Sequence, residues 1–223
     1  GLPESLPERL RQPFRPAPLL QSYLATIRHS GFVLLCLSLG FGGGGFLLYV
    51  ATAPHVAINI LGLTGTQFGW LFLPIVSGIV LGSAVNNRFA GRIRPSRCVA
   101  WGFALMALGA MLNLAAFLWF TPRVPWAVLP LTVYTFGFSL AAPAITIEGL
   151  DLFPDRRGLA SSLQGFSHTL VFALIAGAVA PLVYRSGIKH AAGLGLFMAL
   201  SMLTYYGYKL HAGAVRASRS LAS

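Results

Sequence analysis

Six long apolar runs, at about 31–54, 67–86, 98–120, 126–148, 159–183 and 191–208, alternate with short polar loops and fill most of the chain. Each run is close to the ~20 residues a helix needs to cross ~30 Å of hydrocarbon. In lipid the backbone must pair its own polar groups, so runs of this length predict spanning helices rather than strands. The first five runs hold a single acid, Glu148, and neither Lys nor Arg. The pattern predicts an all-α membrane protein of six transmembrane helices. A Pro-rich linker over 1–29 would precede a bundle over 30–210, and a basic tail over 211–223 would follow it.

Composition agrees: 56% of residues are hydrophobic and 9% are charged, against roughly a quarter charged in soluble domains. The formal net charge is +11, and its distribution argues against nucleic acid as a partner. Thirteen of the 16 Lys and Arg residues fall in alternate loops and at the two ends. They are Arg9, Arg11, Arg15, Arg28, Arg88, Arg92, Arg94, Arg97, Arg156, Arg157, Lys209, Arg216 and Arg219, with Arg123, Arg185 and Lys189 on the other side. Asymmetry of this kind marks the cytoplasmic side of a membrane. Both termini and the second–third and fourth–fifth loops are therefore expected in the cytoplasm.

Residues 1–29 lack the apolar core and cleavage site of a signal peptide. Five prolines between Pro3 and Pro18 oppose helix through most of this segment. The first residue is Gly1 rather than Met, and the segment reads as a linker that follows something else. Cys36 and Cys98 have no metal-site or redox spacing and read as small apolar fillers. No metal or cofactor is expected.

Small residues mark close helix contacts in membranes. Gly78 and Gly82 in the second run, and Ser161, Gly165, Ala173 and Gly177 in the fifth, predict two tightly packed helices. The third and sixth runs carry mostly large apolar residues, with Asn113 as the main polar exception in the third, and read as facing lipid. Gly42, Gly43, Gly44 and Gly45 are consecutive in the first run. They signal either close packing or a locally unwound hinge, since each costs a helix about 1 kcal/mol against Ala.

Ionisable groups at depth are candidates for function. Glu148 lies about 16 Å beyond the centre of the fourth run, at the membrane boundary. It is expected to pair with Arg88 or Arg92, and such a pair can also serve as a latch between conformations. In the fifth run Ser161, Gln164, His168 and Phe172 share one helix face. His168 lies about 4–5 Å in depth from that run's midpoint. It is either a neutral hydrogen-bonding group between helices or a pH-responsive lining group, histidine being the side chain that switches charge nearest neutrality. Tyr49, Tyr134 and Phe138 either line an aromatic cavity or pack in the core.

An intramembrane serine protease of the rhomboid type is disfavoured. Gly165-Phe166-Ser167-His168 departs from the Gly-x-Ser-Gly nucleophile motif at its last position. His190 lies beyond the far end of the fifth run, about 22 Å or more along the helix from Ser167, where a nucleophile and base need ~3 Å.

Several stretches resemble the major facilitator superfamily, in particular its Bcr/CflA-type drug-resistance transporters. Leu2-Pro3-Glu4-Ser5-Leu6-Pro7 resembles the linker after their sixth helix. Leu48-Tyr49-Val50-Ala51-Thr52-Ala53-Pro54 is similar to the end of the seventh helix, and Phe68-Gly69-Trp70-Leu71-Phe72 to the start of the eighth. Gly82 and Ser83 with Asn86, Arg88 and Arg92 resemble the cytoplasmic Gly-x-x-x-Asp-Arg motif, Asn86 standing at the usual Asp. Phe153-Pro154-Asp155-Arg156-Arg157-Gly158 resembles the loop into the eleventh helix.

The resemblance implies the C-terminal half of a twelve-helix transporter in the bacterial inner membrane. Its first and fourth helices would line a cavity, the second and fifth would meet the other half, and the third and sixth would face lipid. It also implies proton-coupled export of small amphipathic organic compounds by alternating access. Cavity candidates are Tyr49, Tyr134, Phe138, Gln164 and His168; candidates for the cytoplasmic motif are Gly82, Asn86, Arg88, Arg92, Glu148 and Arg156. The expected partners are the bilayer, an N-terminal half or a second copy, the substrate and protons. The alternative is a non-transporting membrane interaction protein.

Overall fold

The computed structural model describes residues 16–55, 57, 58, 62, 64, 69, 71–89, 91–119, 126–184 and 186–221, without the side chains of 16–19 and 215–221. The described residues form α1 (Pro16–Arg28), α2 (Ser30–His55), α3 (Phe72–Phe89), α4 (Pro95–Trp119) and α5 (Leu129–Asp151). A 3₁₀ turn (Pro154–Arg156), α6 (Arg157–Leu174), a π turn (Ile175–Val179) and α7 (Ala180–Val183) follow as one run, and α8 (Gly187–Leu221) closes the chain. No strand occurs among the described residues. Five helical stretches are long and apolar enough to cross a membrane: Ser30–His55, Pro95–Trp119, Leu129–Asp151, Pro154–Val183 and Gly187–Ala214. The expected second span corresponds to α3, whose 18 residues end in Asn86-Asn87-Arg88-Phe89. Most of the apolar residues just ahead of it lie outside the described residues, as do 1–15, Phe68, Trp70, Arg123 and Arg185.

One expectation about the ends changes. Residues 16–28 are helical despite Pro16 and Pro18. Both prolines fall in the first turn, where the missing N–H has no partner to lose and the fixed φ suits a helix. Past residue 210, α8 runs on as helix to Leu221. His29 separates α1 from α2, its Nδ1 accepting from the Phe32 N–H at 3.3 Å. That bond occupies one of the free donors at the start of α2.

Close packing is concentrated at glycines. The helix α2 is continuous through Gly42–Gly45, and all four are buried, so close packing prevails over unwinding. Successive helix residues turn by about 100°, so four glycines in a row strip the helix on every side. A Cβ on Gly42 would press on Phe138 at 3.1 Å and Ser201 Oγ at 3.0 Å. One on Gly43 would meet His168 and Phe172, each at 2.9 Å, one on Gly44 would meet Ile175, and one on Gly45 Tyr134. This narrow turn lets α5, α6 with its π turn, and α8 close around α2.

Gly78 and Gly82 seat α3 on α5, against Thr132, Thr135, Phe136 and Ser139. The Thr135 hydroxyl lies 3.1 Å from the Ile75 carbonyl across that contact. Between α2 and α8, Ser38 Oγ donates to the Ser201 carbonyl at 2.9 Å and Ser201 Oγ to the Ser38 carbonyl at 2.7 Å.

The third predicted span, α4, is not simply a lipid-facing helix. Its Gly102 and Gly109, seven residues apart, lie against the α5 backbone at Gly137 and at Pro130 and Tyr134. Asn113 is fully buried there, donating to the Ala127 carbonyl at 3.3 Å. The opposite face shows Trp101, Leu108, Met111 and Leu112 outward. The same division holds for α8, with Leu194, Phe197 and Tyr205 inside and Leu196, Leu203 and Leu210 outside.

The fifth span departs most from the packing expectation. A Cβ at Gly165 or at Gly177 would meet nothing within 4 Å, and Ser161 and Ala173 are exposed. The small-residue flank of α6 therefore has no neighbour among the described residues. Further along, Pro181 cannot donate to Gly177, and the Ala180 N–H reaches back five residues to the Ile175 carbonyl. A proline missing its i−4 bond accounts for this π turn.

Candidate functional site

Two stripes and one residue of α2 meet at a groove of about 360 Å³ between α2, α5 and α6. On α5, Phe138, Ala142 and Thr146 recur every four residues; on α6, Ser161, Gln164, Gly165 and His168 recur at three and four. Side chains with those spacings lie on one helix face. Leu39 of α2 forms the floor between them. The groove is thus apolar on the α5 and α2 side, with hydrogen-bonding groups along α6 and at Thr146.

An aromatic band continues from one end. The Phe46 ring lies 5.9 Å from Phe138 and 6.2 Å from Phe172, edge-on to the latter, and His168 lies 4.0 Å from Phe172. His168 approaches α2 where Gly43 leaves room for it. Gln164 is 7% exposed, and its Nε2 has no hydrogen-bond partner. A buried amide donor left without a partner costs about 1–3 kcal/mol. That amide nitrogen packs toward α5, where a Cβ on Gly149 would meet it at 3.0 Å.

Of the five residues expected at a cavity, the structure brings Phe138, Gln164 and His168 together. Tyr49 and Tyr134 are elsewhere, 1% and 0% exposed in the core. Tyr134 donates to the Gly42 carbonyl at 2.9 Å, and Tyr49 packs against His190 with ring centroids 5.2 Å apart. Leu39, Ala142 and Thr146 were not anticipated. The four-residue repeat 138–142–146 was a usable signal, obscured because alanine and threonine are common packing residues. A larger hollow of about 490 Å³ between α4 and α5, lined by Leu112, Trp126, Leu129 and Val133 among others, has no charged, hydroxyl or amide side chain. Among the described residues, no three His, Cys, Asp or Glu lie close enough to hold a metal ion.

At the Glu148 end the pairing differs from expectation. Lys209 Nζ donates to both Glu148 carboxylate oxygens at 2.8 Å, and the Tyr205 hydroxyl donates to Oε1 at 3.2 Å. Arg88 and Arg92 are not its partners. The helical continuation of α8 carries Lys209 alongside the end of α5, and its ammonium also sits over the Tyr205 and Tyr208 rings at 5.2 and 5.5 Å. Because α5 and α8 belong to one bundle, this pair joins two helices within it. Arg156 donates to Ser22 Oγ at 3.1 Å and so ties α1 to the start of α6. Asn86 lines a separate hollow with Glu148 and Asp151, while Gly82 is a packing residue against α5.

Curated relatives share the sequence at low identity. The multidrug transporter MdfA of Yersinia pestis (strain Angola) is 24% identical over 191 residues, which are 86% of this chain and 46% of that protein. MdfA of Edwardsiella ictaluri is 26% identical over 185 residues, 78% of this chain and 43% of that protein. This chain is similar to multidrug transporters. The chloramphenicol resistance protein CraA of Acinetobacter baumannii is 24% identical over 145 residues, 63% of this chain and 35% of that protein. No family model matches. The chain spans about half the length of the multidrug transporters it resembles. Transporter relatives and five spanning-length apolar helices together identify an integral membrane protein.

Proposed function

We propose that this chain is the C-terminal six-helix half of a major facilitator superfamily transporter of the Bcr/CflA type. In this reading it resides in the bacterial inner membrane with both termini cytoplasmic. With a companion half it exports small amphipathic organic compounds in exchange for protons by alternating access. The groove between α2, α5 and α6 supplies this half's share of the substrate cavity: Phe138 and Leu39 present apolar surface, and Gln164 and His168 present hydrogen-bonding groups. The flank of α6 carrying Ser161, Gly165 and Ala173 receives the companion.

One observation carries the reading. Phe138, Gln164 and His168 converge on a groove beside the α6 flank that has no neighbour among the described residues. A membrane helix with small residues outward is suited to close approach by another helix. Chloramphenicol, named in the CraA relative, is a fitting first substrate to test, being a small neutral amphipathic compound.

The test compares this chain alone, the chain joined to an N-terminal six-helix half, and a joined form carrying His168→Ala, in cells lacking their own efflux pumps. Export of chloramphenicol or ethidium is expected from the joined form only, with His168→Ala lowering it and altering its pH dependence. Export by a single reconstituted copy of this chain would refute the half-transporter reading. Unaltered export and pH dependence in His168→Ala would remove His168 from the mechanism.

A further inference from the structure

We propose that the hollow beneath the α3–α4 turn binds an anionic phospholipid. Arg88, Arg92, Arg94 and Arg97 would hold its phosphate, and an acyl chain would lie against Trp101. This goes beyond the transport reading and depends only on the chain spanning a membrane.

The hollow holds about 380 Å³ between α3, α4 and α5 and has only apolar side chains: Val85 and Phe89, then Trp101, Ala104 and Leu105, with Phe136 and Leu140 behind. Arginines flank its lining residues along the chain: Arg88 precedes Phe89, Arg92 and Arg94 lie in the turn, and Arg97 is one helical turn before Trp101. The Phe89 carbonyl accepts from the Arg92 N–H at 2.9 Å and the Ile93 N–H at 3.2 Å, and Gly91 takes a φ of 74°. The Arg97 N–H then donates to the Arg94 carbonyl at 2.9 Å, starting α4 immediately. Arg97, Trp101 and Leu105 follow at four-residue spacing, a stripe running about 12 Å from the polar end into the apolar slot.

All four arginines are exposed. None makes a side-chain hydrogen bond or ion pair with another described residue. Glu148 and Asp151 line a second hollow, which shares Phe89 with this one and includes Gly91, Ile93, Pro95 and Ser96 of the turn; both carboxylates are engaged, by Lys209 and Arg157. Four uncompensated cations above a greasy slot match an amphiphile with an anionic head. Basic pockets between spanning helices hold such headgroups, each Lys or Arg near the surface contributing about fivefold in affinity.

The experiment uses the full chain, purified in a non-ionic detergent and delipidated. Phosphatidylglycerol and phosphatidylcholine with identical acyl chains are titrated in, and bound lipid is counted by native mass spectrometry. Phosphatidylglycerol is expected to bind in preference to phosphatidylcholine. The double variant Arg94→Gln/Arg97→Gln should weaken its binding about 25-fold, while Lys189→Gln should leave it unchanged. Ala104→Phe, which fills the slot and spares the arginines, should also abolish binding and decides the matter if the double variant does not fold. Glycerol phosphate lacks the tail and should not displace the lipid. Equal binding of both lipids, an unaffected Ala104→Phe variant, or displacement by glycerol phosphate would each overturn the proposal. Export is not measured, so the outcome is independent of the half-transporter reading.

Discussion

Gly45→Ala sets two magnitudes against each other. By helix propensity alone the change stabilises α2, since Gly is about 1 kcal/mol worse than Ala in a helix interior. Packing predicts the opposite. The added methyl would fall on the Tyr134 hydroxyl, with Cζ of that ring at 2.8 Å and Leu194 Cδ1 at 3.0 Å. Tyr134 is fully buried, and its hydroxyl is committed to the Gly42 carbonyl at 2.9 Å. Overpacking a filled core costs about 1–3 kcal/mol, and breaking a buried hydrogen bond adds about 1–3 kcal/mol. Subtracting the propensity gain leaves a net loss of about 1–5 kcal/mol.

The assay is reversible unfolding of the purified chain in mixed micelles, run as a double-mutant cycle with Tyr134→Phe. Removing the hydroxyl deletes the worst contact, so Gly45→Ala should cost less in the Tyr134→Phe background than in the parent. A more stable Gly45→Ala protein, or equal costs in the two backgrounds, would refute close packing as the reason for these glycines.

Three further outcomes are expected. A Cβ at Gly165 would meet no atom within 4 Å, so Gly165→Ala should stabilise the chain alone by up to about 1 kcal/mol from helix propensity; co-purification of Gly165→Leu with an N-terminal half should fall. Gln164→Leu removes the buried unpartnered amide and should stabilise the chain alone by about 1–3 kcal/mol, read as a higher melting temperature, while lowering export by the joined transporter. Glu148→Gln should cost only about 1 kcal/mol, because Lys209 is 39% exposed and rehydrates; a much larger loss by thermal unfolding would mean that the pair is not the solvent-screened contact described.

Five of the expected spans were legible because hydrocarbon tolerates so few residue types, and Ser30, Asp151 and Val183 fall within a few residues of the expected run ends. Gly78 and Gly82 were legible as packing sites for the same reason that a Cβ there would strike the α5 backbone. The groove was half legible: the α6 stripe follows from spacing, whereas Tyr49 and Tyr134 required knowing which way α2 and α5 face. Partner choice was not legible. Glu148 is 61 residues from Lys209 and about as far from Arg88, so only the register of α8 decides which cation across the cytoplasmic face reaches it. In α1 prolines masked a helix because only their position within the first turn makes them harmless. In α4, Gly102 and Gly109 are separated by two turns and escaped a search for residues four apart.

The π turn before Pro181 has a consequence for how this polypeptide tolerates altered length. Its wide loop absorbs one surplus amino acid, so Ile175 and Ala180 both point inward although five positions separate them. Losing one codon within 175–179 together with Pro181→Ala would let an ordinary spiral close and still present the following turn to the same neighbours. Elsewhere in this rod, a single-codon loss would swing everything downstream by about 100°.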